Sequence, residues 1–271
     1  MFSITTNKIW PLVGAIGLGL ALLTSSVHAN DSTAVMAAGG LVFTKSDSII
    51  MEEEDLFISQ DKIRVAYRFR NTSNKPITTR VAFPLPELSA NDEFTGNIDP
   101  TSKNPMNFSV TVDGKKLQFD TERKKLGSGE DISYKITHHW MQTFPANKTL
   151  SVIHTYRPGT GGAVDFDMHD ERNGRFCIEP SLQKWIDDLY KKGQHTSTSI
   201  VQYILTTGAN WKGPIGKFRL TVKKADAKEK LSFCGTGIKK VDDLTFVMEK
   251  TNFTPKDNLY VMFIHQNDVS Q

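Results

Sequence analysis

Residues 62–70 read KIRVAYRFR. Ile63, Val65, Tyr67 and Phe69 fall on one side of an extended chain, and Lys62, Arg64, Arg68 and Arg70 on the other, with Ala66 among them. Side chains of a strand point alternately to its two faces, so this pattern predicts a β-strand with one buried and one wet face. The polar run Asn71-Thr72-Ser73-Asn74-Lys75-Pro76 that follows is turn chemistry. ITTRVAF, residues 77–83, then places Ile77, Val81 and Phe83 on one face, and the two strands together predict an antiparallel hairpin. Pro84 and Pro86 in FPLP end the second strand, because proline lacks the N–H that a ladder needs.

The same period recurs along the chain. FSVTV alternates Phe108, Val110 and Val112; Asp113-Gly114 is a two-residue hairpin turn, with Leu117 and Phe119 on the return strand. Ile132, Tyr134 and Ile136 alternate, as do Leu150, Val152 and Tyr156, with FPANK as the connection. Upstream, GGLVFTKSDSIIMEEEDLFIS predicts two strands joined at Ser46-Asp47. Downstream, SIVQYILTTG, KFRLTV, LTFVME and NLYVMFI are further strands. One segment breaks the pattern. EPSLQKWIDDLYKKG puts Leu182, Trp185, Ile186 and Leu189 at i, i+3, i+4 and i+7, a helical stripe with Pro180 in the first turn and Gly193 at the close. The expected fold class is mainly β, with two antiparallel β-sandwich-like modules and one intervening amphipathic helix. Residues 30–162 would form the N-terminal module, 163–195 the connecting loop and helix, and 196–271 the C-terminal module.

Residues 1–29 stand apart. Lys8 precedes fifteen apolar residues, Ile9 to Leu23, and Val27-His28-Ala29 supplies small residues for a signal peptidase. This predicts a secretory signal peptide cleaved after Ala29, too short for the roughly 20 residues that span a bilayer. The mature protein is then expected in the periplasm, with no transmembrane segment. Lys plus Arg number 33 against 30 Asp plus Glu, for a net charge of +3, which excludes nucleic-acid binding driven by charge alone. Two cysteines exclude a disulfide-dense scaffold or a four-cysteine metal site. In an oxidising compartment Cys177 and Cys234 are expected to bond; the alternative is two buried thiols.

Several stretches together carry a family resemblance. NDSTAVMAAGGLVFTKSDSIIMEEEDLFIS, VAYRFRNTSNKPITTRVAFPLP, HHWMQTFPANKTLSVIHTYRP, GANWKGPIGKFRLTV and NFTPKDNLYVMFI resemble domain-of-unknown-function family 4424, secreted proteins of Gram-negative bacteria. The resemblance covers nearly the whole mature chain and implies envelope localisation, with no activity attached. Within it, YRFRNTSNKPITTRVAFPLP, VTVDGKKL and LSVIHTYRP are similar to the vault/inter-alpha-trypsin domain, over about residues 49–160. That likeness implies a β-sandwich used in extracellular assembly. The DxSxS metal loop of the module that usually accompanies it does not occur in this sequence.

Candidate chemistry is sparse. In VDFDMHDERNGRFC, Asp165, Asp167 and His169 share a face if extended, which suits calcium or a transition metal; the plain reading is a polar linker. His138, His139 and His154 lie within seventeen residues. Only one of His138 and His139 can face inward, and His154 is expected to pair with it across a ladder. His138, His154, Asp165, Asp167 and His169 form the ligand set of a metal-site reading; against it stands plain core or surface histidine. Trp211 and Pro214, set between glycines, suggest a carbohydrate-stacking platform or a tight corner that closes the second sheet. Trp140, expected at the end of the sandwich, is a third binding candidate. The acidic run Glu52–Asp55 reads as solvated charge. The sequence has no Gly-x-Ser-x-Gly elbow, no penicilloyl-type Ser-x-x-Lys set and no His-Glu-x-x-His helix. The expected function is therefore a non-enzymatic periplasmic protein, without cofactor, that binds another protein or an envelope component through β-sandwich surfaces. The alternative is a metal-dependent hydrolase or metal-binding enzyme using the His/Asp cluster.

Overall fold

The alternating segments become strands in the order β1 (Ser32–Ala37), β2 (Gly40–Phe43), β3 (Ile49–Ile58), β4 (Ile63–Asn71), β5 (Ile77–Pro84), β6 (Leu88–Ser89), β7 (Ser109–Val112), β8 (Lys115–Leu117), β9 (Asp120–Leu126), β10 (Ser133–Phe144), β11 (Thr149–Tyr156) and β12 (Thr160–Val164). A 3-10 turn (Glu171–Phe176) and the helix α1 (Pro180–Tyr190) follow. The chain ends with β13 (Thr196–Tyr203), β14 (Ile215–Lys223), β15 (Lys230–Phe233), β16 (Lys239–Lys240), β17 (Thr245–Phe253) and β18 (Leu259–Gln266). The structure, a computed structural model, describes residues 32–37, 40–43, 47–85, 87–89, 98–129, 132–164, 171–206 and 211–267. The signal-peptide segment and residues 165–170 lie outside these.

Among the described residues three sheets result. The largest runs β16-β17-β14-β3-β4-β11-β7-β8, the second β2-β1-β5-β10-β6 with β9 added on β10, and the third β12-β13-β18-β15. Inward residues of all three form one continuous core, from Tyr67, Phe69 and Phe218 through Phe83 and Trp140 to Tyr203, Val261 and Phe263. The expected class holds: mainly β, sandwich-like, with one α-helix between two blocks of strands. Asp113 and Gly114 take φ of 46° and 79°, the left-handed pair a two-residue β7–β8 turn requires.

The expected hairpin of β4 with β5 does not form. β4 lies between β3 and β11, whereas β5 lies between β1 and β10 in the second sheet. The turn is an arch that carries the chain across the core. Asn71, fully buried, holds it: its amide nitrogen donates to the carbonyls of Lys75 (2.8 Å) and Phe144 (3.0 Å). Its Oδ1 accepts from the backbone N–H (2.9 Å) and hydroxyl (2.8 Å) of Ser73.

The expected division into modules also differs from the sheet topology. β14 pairs in parallel with β3, from Lys217–Glu53 to Val222–Ile58, so the C-terminal strands extend the N-terminal sheet. β12, at the end of the expected first module, joins β13 in the third sheet. Gly216 allows the close approach at the β3 bulge, since a Cβ there would stand 2.6 Å from the Glu52 carbonyl oxygen. β18 explains its unbroken apolar run: Val261 and Phe263 face the main core, while Met262 and Ile264 face Phe176 and Ile186 beneath α1. Cys177 and Cys234 are bonded, joining the segment before α1 to the end of β15. Among the described residues no helix is long and apolar enough to cross a membrane.

Candidate functional site

β10 turns Ile136, His138, Trp140, Gln142 and Phe144 inward as one buried row. His154 on β11 is also fully buried. The two histidines do not pair across a ladder as expected, because β10 and β11 belong to different sheets; His154 sits opposite Val65 and Val110. They instead face the same ring from two sides of the core. Phe108 lies 5.3 Å from His138 and 5.2 Å from His154, with Trp140 5.5 Å from His154 and Phe119 4.6 Å from His138. Burial holds both imidazoles neutral. It lowers His138 to about 4, aided by the charges of Arg123 and His139, and His154 to about 3. His138 Nδ1 meets the Thr121 hydroxyl at 2.8 Å. His139, on the other face of β10, lies 3.3 Å from Glu122.

This environment is a ring cluster, and among the described residues no carboxylate joins the two histidines. Among the described residues no three His, Cys, Asp or Glu side chains are grouped to hold a metal ion. Asp165, Asp167 and His169, the rest of the expected ligand set, lie outside the described residues.

The stacking platform expected at Trp211 and the binding role expected at Trp140 are both corrected. Trp211 is 2% exposed and Trp140 5%, so neither offers a ring face to a ligand in solution. Trp211 lies 4.5 Å from Phe69 and 6.4 Å from Phe144, ring centre to ring centre, inside the sandwich formed by the first two sheets. The corner is drawn in by the Lys212 N–H, which donates to the Ile49 carbonyl at 2.9 Å. It therefore plugs the space between these two sheets instead of closing a C-terminal sheet. Pro214 stays exposed at the surface. Trp140, Gln142 and Trp211, with Phe69, Val81, Phe144 and Val152, line a small cavity.

A buried acid was missed in the sequence. Glu54 is 3% exposed and faces the core, although its three acidic neighbours made the run look solvated. The signal was its parity: Glu54 shares a strand face with Leu56 and Ile58. Its carboxyl accepts from the Tyr203 hydroxyl at 3.0 Å, and the Tyr67 hydroxyl lies 3.0 Å from that of Tyr203. Burial raises Glu54 to about 8 against the opposing pull of the Tyr203 hydrogen bond, and Tyr203 rises well above its ordinary value. A second buried acid, Glu229, bonds Gln60 in the β3–β4 turn and lies 3.0 Å from His265 Nε2 on β18. Burial raises its carboxyl above the usual range.

The model of the domain of unknown function DUF4424 matches residues 29–139 and 133–262. No curated protein matches the chain. Among solved structures, a candidate nutrient binding protein from Legionella pneumophila is similar over 87% of this chain and 70% of its own, with 18% identity and a TM-score of 0.57. That is a likeness of fold. An M1 zinc metallopeptidase from Deinococcus radiodurans aligns over 81% of this chain and 43% of its own, at 13% identity, but its TM-score of 0.29 carries no argument. The family matches span both blocks of strands, and the chain belongs to the DUF4424 family.

Proposed function

We propose that this chain is a non-enzymatic binding protein of the cell envelope. It is exported, loses its leader after Ala29, and works in the periplasm, where its β-sandwich surfaces take up another protein or a cell-wall component. The fold it shares with the Legionella protein suits a binding role. The observation that carries the reading is the outer edge of β12, on which no strand pairs among the described residues. Edge strands expose unpaired N–H and C=O groups, and proteins commonly guard them with lysine. Here Lys115 and Lys116 lie on β8, Lys239 and Lys240 on β16, Lys230 on β15, and Arg123, Lys124 and Lys125 on β9. β12, β2 and the two-residue β6 end their sheets without any charge. Of these β12, TGGAV, has an exposed glycine at Gly162, so little side chain stands between its backbone and an added strand.

A photo-crosslinking residue at position 160, compared with one at position 124 on the guarded β9 edge, tests this in living cells. Capture of one partner from position 160 alone is expected. Equal capture at both positions, or none at 160, rejects the β12 surface. Mass spectrometry of the periplasmic fraction is expected to find Asn30 at the N-terminus, and a full-length chain in the membrane pellet would reject the export.

A further inference from the structure

We infer that the cavity between β10 and the Trp211 corner is a binding site for one water molecule, held by Trp140, Gln142 and Trp211. Three of the residues that line this one cavity each carry a buried polar atom without a partner among the described residues: Nε1 of Trp140, Nε1 of Trp211 and Oε1 of Gln142. A buried donor or acceptor without a partner has given up its hydrogen bond to water and gained nothing in return. Three such groups around one space identify what fills it.

Position 142 shows that the polarity is built in. Gln142 occupies an inward place on β10 between Trp140 and Phe144, where alternation calls for an apolar residue. Its Nε2 donates to the Thr143 carbonyl at 3.0 Å, which fixes the amide and leaves Oε1 as an acceptor. The complement of two N–H donors and one carbonyl acceptor must both accept and donate. A cation has nothing to offer the indoles, and an anion is repelled by the amide oxygen. A neutral molecule that accepts twice and donates once fits, and size reduces the choice to water. The space open to the centre of a water molecule is about 10 Å³, close to the minimum of about 10–15 Å³ that one water needs. The remaining walls, Phe69, Val81, Phe144 and Val152, are apolar and confine it. The water would tie β10 of the second sheet to the corner that leads into β14 of the first.

The test uses the full mature protein with ¹⁵N-labelled tryptophan. Magnetisation transfer from a long-lived water to the indole protons of both Trp140 and Trp211 is expected. In Gln142→Leu, which removes the acceptor and fills space, both transfers should disappear while the fold is kept. A crystal structure should place one water within about 2.7–3.2 Å of all three atoms. An empty cavity, or indole protons of the parent protein that receive nothing from water, overturns the inference. The parent measurement decides even if Gln142→Leu fails to fold.

Discussion

Tyr203 donates its hydroxyl proton to Oε1 of Glu54 at 3.0 Å, joining residues 149 positions apart and two different sheets. Glu54 comes from β3 and Tyr203 from β13, with Tyr67 of β4 completing the chain of hydroxyls. Among the described residues the acid is held by burial and the Tyr203 hydroxyl, and burial outweighs that hydrogen bond. The folded protein therefore keeps this carboxyl protonated at neutral pH.

Stability should fall on the alkaline side as a result. Glu54 has a folded pKa of about 8 against an ordinary 4.5. A raised pKa gives stability that is fully present below pH 4.5 and is lost as pH rises through about 8. The loss is of the order of 5 kcal/mol at most. Urea unfolding between pH 5 and 9 is expected to show it, and Glu54→Gln, which keeps an acceptor for Tyr203, should flatten the curve. Equal slopes in parent and variant would refute the assignment.

On the acid side His138 and His154 act in the opposite direction. Their folded values, about 4 and about 3, lie below the ordinary 6.5. The stability they support is present above pH 6.5 and is lost as pH falls toward those values, since the unfolded chain binds the protons first. Proton NMR should find both rings neutral down to pH 5; a midpoint near 6.5 for either would contradict their burial. A strong chelator is expected to leave the melt unchanged. A chelator-dependent loss of melting temperature that disappears in His154→Ala with His169→Ala would restore the metal-site reading.

Strand identity was legible because burial repeats every two residues: Ile63, Val65, Tyr67 and Phe69 all proved buried. Partnership was not. Residues 71–76 have the chemistry of a turn, but whether a turn returns the chain beside itself or across a core depends on Asn71 reaching Phe144, a distant residue. The parallel β3–β14 pair has no turn to announce it. Glu54 was hidden because four acidic residues in a row outweighed the parity of one. Trp211 was misjudged because flanking glycines mark a corner without saying which way its ring points.

Asn71→Ala should be among the costlier single changes. It removes four hydrogen bonds at a fully buried side chain and takes the amide donor from the Phe144 and Lys75 carbonyls, of which Lys75 keeps the Ser73 hydroxyl at 2.8 Å. A cost of about 2–4 kcal/mol is expected. Asn71→Asp should not rescue it, since a carboxylate would face the Lys75 and Phe144 carbonyls. Thermal unfolding of both variants checks this, and a change below about 0.5 kcal/mol in either would show that the arch holds without the amide.

The disulfide tests whether the two blocks of strands unfold as one body. Cys177 and Cys234 close a 57-residue loop that contains α1 and β13 to β15, and the chain-entropy estimate of its contribution is roughly 4 kcal/mol. Cys177 is exposed and Cys234 half-buried, so a reductant can reach the bond. Reduction should speed hydrogen exchange first in α1 and β15, which the bond holds together over β18. Yet β14 and β17 belong to the same sheet as β3 and β4, and Tyr203 is bonded to Glu54. Loosening the C-terminal strands therefore strips one side of the shared sheet. The reduced protein is expected to melt lower by about 8–16 °C in a single transition. Two separate transitions, with only the later one unchanged by reduction, would show that the halves unfold independently and that the shared sheet does not couple them.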